Sequence, residues 1–296
     1  MIKKSLLVSL LIMLALSFNS SADIVIGRTL LKQKKYSEAR AEFEKDLPGL
    51  KGKEAANLLL MIASTYQLEK KFKEARQEYE KALQAEGITD VQKSQALLEI
   101  GNTLWRNEND TEGSRQAFSK VLELKDAGGI YKGRAQLGLA TAYWIDKNSE
   151  ATITEAEKVL SMEGADASTR TMAFLYMGRG YKAEKKYAEA IKSYREFETR
   201  DKRINYVTEA RLAIGEILIK ESSLGEAREL LSGIISDEKA PANYRSSAHM
   251  LIAQSYLSEK KNGEALTELK KLAEAPYVTV RDKREAEKNI KQLEKK

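Results

Sequence analysis

The stretch MGRGYKAEKKYAEAIKSY, Met177 to Tyr194, sets small residues, tyrosines and a lysine pair at helical spacings. With Phe174 just before it, Met177, Gly178 and Tyr181 fall at i, i+3, i+4 and i+7, which is one face of an α-helix. Tyr187, Ala190, Tyr194 and Phe197 make a second face, and the polar KAEKK between the two breaks the apolar pattern. Gly178 and Ala190 are small enough to let antiparallel helices approach closely while the aromatics fill the gaps beside them. The stretch reads as a helix hairpin.

The hairpin recurs. In LLLMIASTYQLEKKFKEARQEYEKAL, Leu58 to Leu83, the corresponding residues are Leu59, Ile62, Ala63 and Tyr66, then Phe72, Ala75, Tyr79 and Ala82. Anchoring each first helix on its small residue gives Gly27, Ala63, Gly101, Ala140, Gly178, Gly215 and Ala253, separated by 36 to 39 residues. A steady period of this size marks a solenoid, in which each unit buries its apolar face only against its neighbours. The fourth repeat has a second register available, because Leu137 and Gly138 compete with Leu139 and Ala140. That register would move Trp144 off the shared first-helix face.

These residues resemble the tetratricopeptide repeat (TPR) family. Gly178, Tyr181, Ala190 and Tyr194 match its small, aromatic, small, aromatic order, and Ala63, Tyr66, Ala75, Tyr79 and Ala82 match it more fully. The resemblance covers nearly all of the chain after its N-terminal segment. It implies an all-α fold, a right-handed superhelical solenoid of about seven helix hairpins with a C-terminal capping helix. The sequence departs from the family in three ways: the period exceeds the usual ~34 residues, the closing proline is mostly missing, and the second-helix pattern is eroded after Gly101 and Ala140. Longer periods of this kind are similar to those of bacterial periplasmic and envelope TPR proteins.

The expected organisation is a signal peptide over residues 1–22, the solenoid over 23–280 and a charged capping helix over 281–296. Lys3 and Lys4 precede the apolar run Leu6 to Phe18, and Ser20 and Ala22 occupy the small-residue positions of a signal-peptidase site, with cleavage expected after Ala22. Thirteen apolar residues are short for a transmembrane helix. The expected location is periplasmic or secreted. Asn109 with Glu112, and Ser223 with Glu226, have the spacing of capping boxes, and Pro241 and Pro276 fall between helices.

Composition narrows the chemistry. The 296 residues include three prolines, one histidine and no cysteine, which excludes disulfides and thiolate metal sites and disfavours a histidine-ligated metal. Removing the signal segment takes away two lysines and leaves a net charge of about +4, too weak to argue for nucleic acid. His249 falls at the helix-packing position held by Leu59 and Phe174 elsewhere, so a structural role is expected. GRGYKA superficially matches a dinucleotide fingerprint, but that motif needs a preceding strand and here lies inside a helix. The reading is not an enzyme, with no cofactor and no metal.

Binding is the better reading. In TPR proteins the first helices line a concave groove, and the resemblance places Leu60, Leu98, Leu137, Leu175, Leu212 and Met250 at one inward position, with Trp105 and Trp144 at another. These side chains either form a partner-binding stripe or fill seams between adjacent first helices. The family's carboxylate clamp is not recognisable, since leucines stand where its lysine is expected. Arg179 and Lys182, near Glu209 and Glu216, either read charged partner groups or pair within the groove. Lys34 and Lys35, Lys70 and Lys71, Lys185 and Lys186, and Lys260 and Lys261 recur in the turn between paired helices, a basic edge suited to an anionic envelope surface or simply to helix C-termini. The expected function is a scaffold that holds a protein or peptide partner in cell-envelope assembly. The alternative is a carbohydrate-associated module in polysaccharide or peptidoglycan handling, with the tryptophans as sugar platforms.

Overall fold

The computed structural model describes residues 22–295, so the expected signal peptide lies outside the described residues except for Ala22. These residues form 15 α-helices and no strand. Fourteen pair as hairpins: α1 (Ala22–Lys32) with α2 (Tyr36–Asp46), α3 (Gly52–Leu68) with α4 (Phe72–Leu83), α5 (Asp90–Thr103) with α6 (Thr111–Glu123), and α7 (Gly129–Ile145) with α8 (Ser149–Ser161). The series continues with α9 (Ala167–Ala183) and α10 (Tyr187–Arg200), α11 (Ile204–Lys220) and α12 (Leu224–Ser236), α13 (Ala242–Ser258) and α14 (Asn262–Glu274), and ends at α15 (Val280–Leu293). Two compact units result, the first ending at Arg170 and the second beginning at Thr171.

Every hairpin turns through a left-handed residue. A residue in the left-handed region, with φ between 57° and 64°, follows each first helix at Lys34, Lys70, Asn109, Lys147, Lys185, Ser222 and Lys260. In six of the seven turns the next amide reaches back five residues, as Lys71 N does to Tyr66 O at 2.9 Å, and satisfies a carbonyl orphaned at the helix end. That same residue then starts the second helix: Lys71 O accepts from Ala75 N at 3.0 Å. The lysine pairs therefore do two jobs, the first lysine breaking one helix and the second opening the next.

The third turn differs. Asn109 lies eight residues beyond Gly101, where the other left-handed residues lie seven beyond their anchors. A π-helical segment, Leu104–Glu108, absorbs the extra residue, and Asp110 N reaches six back to Leu104 O at 3.0 Å. The fourth repeat keeps the common count from Ala140 to Lys147, which settles its register on Ala140. Gly138 instead faces the preceding hairpin, where a Cβ would stand 2.6 Å from the Phe118 ring.

Neither expected capping box forms. Asn109 is the left-handed residue itself, and Asp110 caps α6 by accepting from Gly113 N at 2.8 Å. Ser223 opens α12 without a side-chain cap, because the carbonyl and amide of the turn already hold the chain there. A reciprocal box appears at Thr89 and Gln92 instead. Pro241 precedes α13 and Pro276 lies in the loop after α14, both between helices.

Within the first unit, buried side chains collect wherever a hairpin meets the next first helix. Leu59, Leu60, Tyr79, Ala96 and Ile100 pack where α3, α4 and α5 meet, and Leu98, Phe118, Ala135 and Leu139 repeat that junction for α5, α6 and α7. The second unit does the same with Leu175, Tyr194, Phe197, Val207 and Ile214. Burial on this scale stabilises by roughly 25 cal/mol per Å² of apolar surface. α15 covers the exposed side of the last hairpin, with Ile290 and Leu293 against Ala253, Ala265 and Leu269.

Arginines latch successive hairpins. The residue after the small position of a second helix reaches the acid just before the next left-handed turn. Arg40 pairs with Glu69 at 3.1 Å, Arg76 with Glu108 at 3.0 Å and Arg115 with Asp146 in the first unit, and Arg228 pairs with Glu259 at 2.6 Å in the second.

Candidate binding surface on the first helices

In the first unit α3, α5 and α7 lie side by side; in the second, α11 and α13 do. The leucine stripe expected on this surface is not available to a partner at three of its positions. Leu60, Leu98 and Leu175 are 2%, 7% and 0% exposed and fill the three-helix junctions described above. The position three residues before each anchor points toward the following hairpin, so seam packing claims it. Leu137 is partly buried, Leu212 packs on the cluster around Leu231 and Ile252, and Met250 packs on Ala253 and Leu269.

The tryptophans are only partly exposed. Trp105 lies in the π-helical segment and packs against the Leu98–Phe118 cluster. Its indole nitrogen is buried without a hydrogen-bond partner, and the Arg106 guanidinium lies 4.5 Å over its ring. Neither feature suits an open sugar platform, which needs a bare ring face.

What the first unit presents is a polar stripe on α5 and the π segment after it. Gln95, Glu99, Asn102 and Arg106 follow one another at helical spacing. Gln95 donates to Tyr131 Oη on α7 at 2.8 Å. Glu99 accepts from Gln67 Nε2 on α3 at 2.8 Å, and Gln67 Oε1 in turn accepts from the Tyr79 hydroxyl at 2.8 Å. Burial pushes the Glu99 carboxyl above its ordinary value, an effect reduced by the Gln67 hydrogen bond and by the Arg106 and Arg134 charges. Asn102 is half-buried and Arg106 exposed; neither has a side-chain hydrogen bond or ion pair among the described residues.

The second unit uses its first-helix charges internally. Arg179 pairs with Glu209 at 2.6 Å, and Lys182 bonds Glu216. Burial would lower the Arg179 pKa, but the Glu209 charge outweighs it and holds the guanidinium above its ordinary value. Of the two expectations for these residues, pairing within the surface is the one realised.

His249 is 5% exposed, with Nδ1 at 2.6 Å from Glu268 Oε1 and Nε2 at 2.8 Å from the Tyr277 hydroxyl. Both ring nitrogens are thus engaged in tying α13 to α14 and the loop beyond it. GRGYKA lies within α9, with no strand before it. Among the described residues no group of three acidic or histidine side chains is placed to hold a metal. An open recess of about 640 Å³ between α6, α7 and α8 is lined by groups that satisfy one another, Arg115 with Glu112 and Lys158 with Glu155.

Residues 56–87, from within α3 to just past α4, match the family model for the tetratricopeptide repeat. That hairpin is a tetratricopeptide repeat, and the described residues have the fold of a TPR solenoid. Solved TPR structures share the fold at low identity. A TPR protein from Parabacteroides merdae is 13% identical and superposes with a TM-score of 0.58 over 92% of this chain and 97% of its own. The quorum sensor NprR from B. thuringiensis, in its apo form, is 15% identical with a TM-score of 0.59 over 92% and 86%. YrrB, described as a TPR protein with an unusual peptide-binding site, is 19% identical with a TM-score of 0.50 over 65% and 91%. No curated protein matches the sequence.

The basic edge of these hairpins is half neutralised. Lys35, Lys71, Lys186 and Lys261 pair with Glu38, Glu69, Glu184 and Glu259 at 2.7 to 3.2 Å. Lys34, Lys70, Lys185 and Lys260 remain exposed at the left-handed positions. The α5 stripe lies off the inward positions that the family pattern makes apolar, so that pattern does not point to it. Its signal was Gln, Glu, Asn and Arg recurring at i, i+4, i+7 and i+11 through a first helix and the segment after it.

Proposed function

We propose that this TPR chain is a non-enzymatic scaffold that holds a peptide segment of a protein partner along the first-helix face of its first unit. The observation that carries the reading is the pair Asn102 and Arg106, whose side chains make no hydrogen bond or ion pair among the described residues, on a surface where neighbouring polar groups are hydrogen-bonded. A peptide bond offers one donor and one acceptor, and a carboxamide answers both. The guanidinium adds a fork of donors for a carbonyl or carboxylate. The bonds of Gln67, Glu99, Gln95 and Tyr131 hold this face in shape before a partner arrives, so little ordering is needed on binding. The likeness in fold to YrrB, with its reported peptide-binding site, supports the same reading.

The lysine-flanked apolar run Leu6 to Phe18 supports a place outside the cytoplasm, in the periplasm, with envelope assembly as the setting. The test is photocrosslinking in cells with the reactive side chain at Asn102, Trp105 or Trp144 and a control at exposed Lys192 on α10. A discrete protein adduct from the first-helix positions, absent from the control, is the expected result. A folded protein that gives no such adduct overturns the reading.

A further inference from the structure

α15 has two opposite faces. Asp282, Ala286, Ile290 and Leu293 turn toward the last hairpin, with Asp282 and Ala286 buried and Ile290 and Leu293 packed on its cluster. On the other side Val280, Arg284, Lys288, Lys291 and Lys295 succeed one another at i, i+4, i+8, i+11 and i+15, all exposed. Arg284, Lys288 and Lys291 span roughly 10 Å of helix axis, and Lys295 continues the row in the turn just after the helix.

Among the described residues, unpaired surface cations stand singly elsewhere, as at Lys34, Lys70, Lys185 and Lys260; what sets this group apart is its alignment along one side of one helix. Lys35 with Glu38, Lys81 with Glu78, and Arg200 with Glu196 show the usual pattern, in which an exposed cation on a helix takes the acid one turn away. On α15, Glu287 stands three residues from Arg284 and four from Lys291, yet none of the four cations forms an ion pair among the described residues. Glu294 turns aside to Lys270 at 3.2 Å. Val280, at the head of the row, is 68% exposed, more than any other large hydrophobic residue described.

We propose that the outward face of α15 is a docking surface for the phosphate headgroups of an anionic membrane. A straight row of unpaired cations on a helix side can touch a plane of phosphates all at once, and the exposed valine on the same line can enter the interfacial layer. The hairpin beneath α15 keeps the row rigid, so no ordering of a loop opposes contact. This surface is separate from the α5 stripe and does not depend on it.

The test is vesicle co-sedimentation of the full chain, comparing vesicles of equal parts phosphatidylglycerol and phosphatidylcholine with vesicles of phosphatidylcholine alone. The apolar run Leu6 to Phe18 is common to all variants, so the ratio of the two partition coefficients isolates the charge contribution. Lys288→Gln with Lys291→Gln should lower that ratio about 30-fold, roughly fivefold per cation. Lys34→Gln with Lys70→Gln removes the same net charge and should leave it within about twofold. Far-UV circular dichroism checks that helicity is kept. Equal losses in the two variants would reduce the effect to net charge, and no loss in the α15 variant would remove the surface; either result overturns the proposal. So would unchanged vesicle binding alongside weakened binding to soluble polyphosphate, which would assign the row to a free polyanion.

Discussion

The Arg40 guanidinium lies 3.9 Å from the centre of the Tyr66 ring, with Nη1 reaching Glu69 at 3.1 Å and Thr65 Oγ1 at 3.0 Å. Arg115 sits over Tyr143 at 5.0 Å and pairs with Asp146, and Arg228 sits over Tyr256 at 4.5 Å and pairs with Glu259. The tyrosine three residues after each of the anchors Ala63, Ala140 and Ala253 thus belongs to its own first helix and carries the preceding hairpin's arginine as well. Arg40→Ala should cost about 2 kcal/mol, from the stacking contact and the charged hydrogen bonds. Arg40→Lys should recover less than half of it, because an ammonium cannot stack and bond in a plane. Urea titration of the three proteins checks this.

Gly178 lies flat against Tyr194. A Cβ at position 178 would stand 2.7 Å from Cδ1 and Cε1 of that ring, and the ring is itself buried. Gly178→Ala should destabilise by about 1–3 kcal/mol through overpacking. A double-mutant cycle with Tyr194→Ala should show a coupling well outside additivity.

The left-handed lysines carry backbone strain. Lys70 and Lys185 sit at φ of 63° and 59°, where a Cβ is unfavourable. Lys70→Gly and Lys185→Gly should each raise stability by ~1 kcal/mol, the relief of strain exceeding glycine's entropy in the unfolded chain. Lowered urea midpoints would contradict the turn geometry.

Glu99 makes stability pH-dependent in a defined direction. Burial raises its folded pKa above the ordinary carboxylate value, so the folded state holds the proton more tightly than the unfolded state. Its contribution therefore favours folding below the ordinary value and weakens as pH rises through the raised one. Glu99→Gln keeps an oxygen for Gln67 and removes the titration. The variant should be more stable than the parent at pH 7, with the advantage shrinking toward acid pH. Thermal melts across the acid range measure it.

Leu175 and Asn102 separate the core from the binding surface. Leu175→Glu would bury a charge with no partner and should cost on the order of 4 kcal/mol or more, with loss of helicity. Asn102→Ala should change stability by less than ~0.5 kcal/mol while weakening capture of the crosslinked partner. Circular dichroism and adduct yield, read together, distinguish the two.

The hairpin period, the anchors and the lysine turns were legible in the sequence because they are local. Small residues at helical spacing and a polar break between two apolar faces depend on neighbours within one repeat, and seven copies reinforce each other. Asn109 misled because a capping box and a left-handed stop use the same residue types, and the one extra residue after Gly101 decided between them. Leu60, Leu98 and Leu175 misled for a different reason. Their inward position is defined within one hairpin, whereas their burial comes from the next.

By itself the sequence determined an all-α chain of repeated hairpins, the place of each turn, and a chemistry poor in metal ligands and nucleophiles. Only the tertiary structure decided which polar residues are used up and which remain. Arg179 and Arg106 look alike in the sequence, yet one is paired with Glu209 and the other faces solvent without an acid. A charge's availability depends on what the adjoining repeat places within about 4 Å of it, and side-chain geometry across a packed interface sets that distance.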